Sequence, residues 1–422
     1  MVSALVRPPF RTVVLLWLGW AILLMGFQAL AVARFDLKRP DNALAWSAAE
    51  TRAPASVGSS WADAFIAPHL AWDSEYYLSV ALHGYHDPAL PVITPDSTPD
   101  DPDLDNQRDR PAWPSVSAAF LPGYPAAIRV VAWPLQPLGL SPTTTAALAG
   151  IAVSLLATLG AMLAIFDLGR AGADEAQGFR AAFYLAIWPA SIFLAQVYSE
   201  GLFLGLSFGA LAMMRRGRWG WAALLAAAAV WTRATGALLL IPFVWTWLAG
   251  RTRLWPISRP TLSGVAEALC VAAPALAYLA WRFTLGGAFD FVETHYFGRG
   301  LLWLGPSWDA WADMLSSFAD AGPQTQAYDL FEFAAVIIAL IASVALWRRD
   351  RPLATYGLAV LVIALTSGGA LGMQRYALSL PALFLAPAAV GARPLFDRLW
   401  TLANCLGLAL LAITFSFGFW TG

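Results

Sequence analysis

The stretch TVVLLWLGWAILLMGFQALAVARFD, from Thr12 to Asp36, decides what kind of protein this is. Read as a secretory leader, it would be removed. Read as a retained span, it commits the chain to the membrane from its first helix. Its apolar core, residues 12–33, is longer than the roughly 7–15 residues of a leader's core. Arg34, Phe35 and Asp36 stand where small residues would mark a cleavage site. About 20 apolar residues cross a bilayer as a helix, so the stretch reads as a first transmembrane span.

The rest of the chain extends that reading. Of its 422 residues, 59% are hydrophobic and 13% charged, against about 45–50% and about 25% in soluble domains. Further apolar runs cover residues 118–138, 145–166, 179–197, 201–214, 219–231, 235–249, 262–283, 330–347, 353–366, 376–390 and 399–419. Alternation in segments of about ten residues, the mark of a membrane barrel, is not found. The expectation is one all-α polytopic membrane domain over residues 1–422, with about eleven spans and one broken or re-entrant helix. Two polar segments interrupt the runs, residues 34–117 and 285–329. Cys270 and Cys405 both lie inside apolar runs, which argues against a disulfide framework. A net charge of -1 offers no handle for nucleic acid. Lys38 is the sole lysine among many arginines, as a GC-rich bacterial genome would give.

Arginine bias in short loops orients such a protein. With Arg7 and Arg11 in the cytoplasm and residues 118–138 not crossing, the other short-loop arginines also fall inside: Arg170 and Arg180, Arg215 to Arg218, Arg251 to Arg259, Arg348 to Arg351, and Arg393 with Arg398. Both long polar segments then fall outside, as first and second extracytoplasmic loops. If residues 118–138 crossed, every later loop would flip and the pattern would be lost. In the consistent topology Asp73, Glu75, Tyr198, Glu200, Arg233, His295 and Arg375 share the outer face.

Asp73 opens a short segment in which Trp72, Tyr76, Val80 and His83 recur at near-helical spacing. Such a helix suits the interface, where Trp and Tyr are at home. Two readings of Asp73 stand: a first-turn acid complementing the helix dipole, or a functional carboxylate beside Glu75. Glu200, between two apolar runs, is an ionisable group of the kind that is costly in lipid and usually functional or near water; a capping turn is the alternative. Arg233 and Arg375 fit either snorkelling side chains or cations poised for a phosphate. His83 and His86 lack the further ligands a zinc site needs. Asp101, Asp103, Asp105 and Asp109 have the first, third, fifth and ninth spacing of a calcium loop, but Asn106 replaces its glycine and Ala112 its final glutamate. A solvated acidic loop is the simpler reading, and no cofactor is firmly implied.

Taken in order, five segments resemble the PIG-V mannosyltransferase family. They are WDSEYYLSVALHGY (residues 72–85), AFLPGYP (119–125), PASIFLAQVYSEGLFLGLSF (189–208), GRWGWAALLAAAAVWTRATGALL (217–239) and QRYALSLPALFLA (374–386). Thr235 stands where the family usually has Asn, and the acidic insert, residues 91–114, departs from its pattern. The resemblance implies a GT-C membrane glycosyltransferase fold. It implies transfer of mannose, with inversion, from a polyprenyl-phosphate (dolichyl-phosphate-like) carrier to a hydroxyl of a glycolipid or glycan. An acid of the first external loop, Asp73, would be the general base, with Glu75 orienting it or the acceptor. Trp72, Tyr76, His83, Tyr85, Pro122, Tyr124, Tyr198, Glu200, Arg233, His295, Arg375 and Tyr376 would line the substrate site. The partners implied are membrane lipid, the lipid-phosphate sugar and the acceptor; no particular protein partner is indicated. The expected location is the bacterial cytoplasmic membrane with the site facing outside, or the endoplasmic reticulum membrane in a eukaryote. Two other functions fit the same chain: a GT-C transferase of arabinose or glucose, and a transporter of lipid-linked sugars. A transporter should carry ionisable groups near mid-span and paired repeats; here the charges collect at one face.

Overall fold

The computed structural model describes residues 8–37, 65–94, 113–251, 262–285 and 287–422. The acidic run from Asp101 to Asp109 lies outside them. In chain order the helices are α1 (Pro8–Arg34), α2 (Ser74–His83), α3 (Gly123–Ala132), α4 (Pro142–Arg170), α5 (Glu175–Ile187), α6 (Glu200–Arg215), α7 (Trp219–Val230) and α8 (Leu240–Arg251). They continue with α9 (Leu262–Arg282), α10 (Ala288–His295), α11 (Leu304–Ser317), α12 (Pro323–Leu346), α13 (Arg351–Leu365), α14 (Met373–Leu378), α15 (Ala382–Val390) and α16 (Pro394–Ser416). No strand occurs among the described residues.

Local chemistry sets several boundaries. Ser141 caps α4, accepting from the Thr144 amide at 3.1 Å, with Pro142 in the first turn. Asp174 caps α5 through the Gln177 amide at 2.7 Å, and Asp350 caps α13 through that of Leu353 at 3.1 Å. Among the described residues five helices, α1, α4, α9, α12 and α16, are long and apolar enough to cross a membrane. Several other apolar runs are not straight helices. The run over residues 179–197 stops at Ile187, because Pro189 brings no amide to continue the ladder. It resumes as a 3₁₀ turn, Pro189–Ala195, bent by 81° from α5. Pro381 likewise separates α14 from α15. Residues 118–138 are broken as expected: a 3₁₀ turn (Val116–Ala119), the ten-residue α3, then a second 3₁₀ turn, Trp133–Leu138. At 1.5 Å per residue α3 reaches only about 15 Å, half a bilayer core.

Packing separates a lipid-facing side from a tight interior. Leu395, Leu399, Leu402, Leu406 and Leu410 form one exposed stripe on α16. Inside, α4 and α6 approach until a Cβ at Gly205 would lie 2.5 Å from the Ala157 carbonyl oxygen. The small residue is what permits that contact. At the expected outer end the short helices form a separate layer. Arg129 of α3 donates to the carbonyls of Ala81 at 2.6 Å and Val80 at 2.9 Å, closing the C-terminus of α2. Val116, Ala118, Ala288 and Val292 bury one another, joining α10 to this layer.

Candidate active site

The site is assembled around one turn. Trp72 adopts φ 56°, a left-handed conformation that is costly for a bulky residue. It is held there from two sides: its indole donates to the Phe419 carbonyl at 3.2 Å and meets Trp420 edge-on at 4.7 Å. The Tyr198 hydroxyl bridges the same turn, donating to the Ala71 carbonyl at 3.0 Å and accepting from the Asp73 amide at 3.3 Å. Asp73 then occupies the N-cap position of α2, but its side chain caps nothing. Its Oδ2 accepts instead from Nη2 of Arg375 at 2.7 Å. Asp73 thus stands where a dipole-complementing acid would, but its hydrogen bond goes to an arginine and not to the amides of its own helix.

Arg375 is a hub. Its Nε donates to Oε1 of Glu200 at 2.7 Å, and its Nη1 to the Gly422 carbonyl at 3.1 Å. Its guanidinium lies 4.9 Å from the ring centre of Tyr198 and 5.1 Å from that of Phe193. The same Glu200 oxygen accepts from Nη1 of Arg233 at 2.6 Å. Asp73, Arg375, Glu200 and Arg233 thus form one alternating chain of charges with no net charge. Glu200, at the first residue of α6, has 1% of its side chain exposed. Such an ion is tolerated only because both cations reach it. The two arginines differ in freedom. Arg375 is engaged along all three of its nitrogens, whereas the bonds of Arg233 to described residues all run through Nη1.

This chain of charges opens on a cleft of about 600 Å³, within the usual range for small-molecule sites. Trp72, Asp73, Tyr76, Arg233, Arg375 and Tyr376, all expected from the sequence, line it. Tyr198 and Glu200 stand behind that wall, fully buried. Other expected residues are elsewhere. Glu75 is half-buried on α2 and does not line the cleft. Tyr85 donates to the Phe120 carbonyl at 2.9 Å and packs on Trp281, away from the cleft lining. Tyr124 is buried beneath α2, its hydroxyl on the Gly150 carbonyl at 2.9 Å. Pro122 precedes α3 and supports its start. His83 and His295 are exposed, the latter stacked on Phe291. Among the described residues no three His, Cys, Asp or Glu side chains group as metal ligands.

Three residues not singled out from the sequence belong to the site or its support. Glu293 of α10 and Arg299, which follows it, line the same cleft as Asp73. Arg299 steadies the loop before α14, donating to Ser367 Oγ at 3.0 Å and the Leu371 carbonyl at 2.8 Å. Glu332, fully buried on α12, accepts from the amides of Gly372 at 3.0 Å and Gln374 at 3.1 Å, and from the Tyr328 hydroxyl. Tyr328 in turn accepts from the Trp420 indole at 2.7 Å. Glu332 thus holds both the start of α14, which carries Arg375, and the tryptophan that packs against Trp72. An acid near the start of an apolar run was the available signal.

Residues 116–250 match the family model Mannosyltransferase (PIG-V). This is the family that the ordered motifs resemble. The matched segment carries Tyr198, Glu200 and Arg233; Asp73, Glu293 and Arg375 lie on either side of it. The chain is 30% identical over 240 residues to GPI alpha-1,6-mannosyltransferase 2 of Mus musculus, covering 56% of this chain and 42% of that one. With the Homo sapiens protein of the same name it shares 32% identity over 168 residues, covering 39% and 29%. The alignments thus span less than half the length of these relatives. Among solved structures it is similar to ArnT from Cupriavidus metallidurans bound to undecaprenyl phosphate, with a TM-score of 0.45, 12% identity and coverage of 96% and 77%. It is also similar to the oligosaccharyltransferase AglB of Archaeoglobus fulgidus, with a TM-score of 0.42, 14% identity and coverage of 94% and 55%.

Proposed function

We propose that this protein is a multi-pass membrane mannosyltransferase of GT-C architecture. It takes mannose from a polyprenyl-phosphate carrier and transfers it, with inversion, to a hydroxyl of a glycolipid or glycan on the extracytoplasmic face. The observation that carries the reading is the Asp73–Arg375–Glu200–Arg233 chain at the wall of a cleft, in a protein whose residues 116–250 match a mannosyltransferase family.

Each residue has a role that follows from its contacts. The pairing with Arg375 engages Oδ2 of Asp73 and fixes the orientation of the carboxylate. Oδ1 has no hydrogen bond among the described residues, so it can take the proton of an acceptor hydroxyl. As the acceptor oxygen bonds to the anomeric carbon, the bond from that carbon to the phosphate oxygen breaks. The electron pair leaves with the phosphate. Arg233, the arginine with donors to spare, stabilises that growing charge. Arg375 keeps Asp73 in place rather than meeting the phosphate itself. The aromatic wall of Tyr76 and Phe120, stacked at 4.6 Å, offers an apolar face to a sugar or to the first isoprene units.

The test is product formation by the purified protein in detergent, from radiolabelled polyprenyl-phosphate mannose and a glycolipid acceptor. Label transferred to the acceptor is expected. A transporter, working without a gradient, would transfer none, and a transferase of another sugar would use a different lipid-phosphate donor. Arg233→Ala should raise the donor concentration needed for half-maximal rate; unchanged donor dependence would remove Arg233 from the phosphate.

A further inference from the structure

A second carboxyl shares the cleft with Asp73, in a different setting. Glu293 lines the cleft from α10. No ion pair or hydrogen bond reaches its carboxyl among the described residues. The nearest cation, Arg299, spends its guanidinium on Ser367 Oγ, the Gly369 carbonyl and the Leu371 carbonyl. The remaining charged and titratable groups around it do not compensate. Asp290 on the same helix is a like charge, itself bound to Arg282 of α9 at 2.8 Å. His295, at the end of the same helix, is turned outward onto Phe291. Tyr278 faces it from α9, Tyr296 follows α10, and the packed turn Val116–Ala119 brings no titratable residue. Burial and the neighbouring Asp290 push the Glu293 carboxyl up to about 8, which favours its neutral form.

Two carboxyls whose surroundings differ this much do different work. Asp73, gripped by an arginine, suits proton removal. A neutral carboxyl can both donate and accept one hydrogen bond, which matches a sugar hydroxyl. It would also not repel the phosphate of a lipid-linked donor, as an ionised one would. We propose that Glu293 binds the sugar of the lipid-phosphate donor, donating a hydrogen bond to one hydroxyl and accepting one from another. The proposal rests on the reading of the protein as a lipid-phosphate sugar transferase. It gives Glu293 recognition of the sugar, while the arginine end of the cleft takes the phosphate.

The test compares two ligands on the purified full chain in detergent: polyprenyl-phosphate mannose and the same polyprenyl phosphate without sugar. Equilibrium binding should be tighter for the sugar-bearing lipid. Glu293→Ala should remove most of that difference, on the order of tenfold in Kd for two hydrogen bonds, while sugar-free lipid binds as before. Glu293→Gln, which still donates and accepts, should keep the difference. In the parent the difference should be present at pH 6.5 and shrink as the pH rises through about 8, whereas in Glu293→Gln it should stay flat. Equal binding of the two lipids by the parent, a parental difference in Glu293→Ala, or a pH-independent difference in the parent would each overturn the assignment. Failure of the parent to transfer mannose would sink the proposed reaction and leave this comparison of ligands standing.

Discussion

Helix α6 carries a carboxylate–arginine network at each end, and the two differ in burial rather than in distance. At its first residue Glu200 meets Arg233 at 2.6 Å and Arg375 at 2.7 Å, with side chains 1%, 15% and 11% exposed. Just beyond its last residue Arg216 meets Asp167 at 2.7 Å, and Arg170 meets the same oxygen at 2.8 Å, but the arginines are 40% and 34% exposed. Exposed pairs are screened by water and contribute about 0–1 kcal/mol. Buried ones are held by mutual need, since removal of one partner strands the others away from water. Hydrogen-bond length alone would rate the two ends alike; burial is what makes one of them a candidate site.

Asp73→Asn strikes the buried end where it opens to the cleft. It removes the proposed base while keeping side-chain size, and Arg375 retains Glu200. Turnover should fall by roughly 10²–10⁴-fold with little change in the melting temperature of the detergent-solubilised protein. Near-parental turnover would end the base assignment. Glu200→Gln attacks the centre of the same network and should reverse that pattern. It leaves two arginines facing each other without their shared anion, at a cost of about 3–5 kcal/mol. A marked drop in melting temperature is expected before any kinetic effect is read, and parental stability would mean that water already compensates the pair.

Glu332→Gln tests the support behind the site. The amide can accept from one of the two backbone amides but presents an N–H to the other, leaving one buried donor unmet at about 1–3 kcal/mol. A lower melting temperature should accompany faster amide hydrogen exchange confined to residues 366–378. Uniform exchange through the protein would indicate general destabilisation instead. At the exposed end, Arg216→Ala should shift stability by less than about 1 kcal/mol, an effect that moderate salt erases. A large, salt-insensitive loss there would break the contrast between the ends.

The sequence determined the class of the protein, because the signals are local. A run of about 20 apolar residues is a membrane span wherever it is found, and prolines 122, 125 and 134 mark a broken segment without reference to any neighbour; the breaks at Pro189 and Pro381, inside runs read as continuous, came only from the structure. The sequence also picked out Asp73, Glu200, Arg233 and Arg375, each an ionisable residue beside apolar sequence, where charge has a cost. What it left open was their relation. Asp73 and Arg375 are 302 residues apart, and Glu200 and Arg375 are 175 apart. Only tertiary packing could reveal that these are one network rather than two caps and two snorkels. The same holds for the residues that drop out. Tyr85 and Tyr124 share motifs with cleft residues, yet their hydroxyls are spent on backbone carbonyls. Glu293, by contrast, stands two positions from the more conspicuous His295 on a turn of helix that carries both. Which of them faces the cleft depends on how that helix rolls against the Val116–Ala119 turn. That rotation is set by the buried contacts of Ala288 and Val292, and no local pattern in the sequence encodes it.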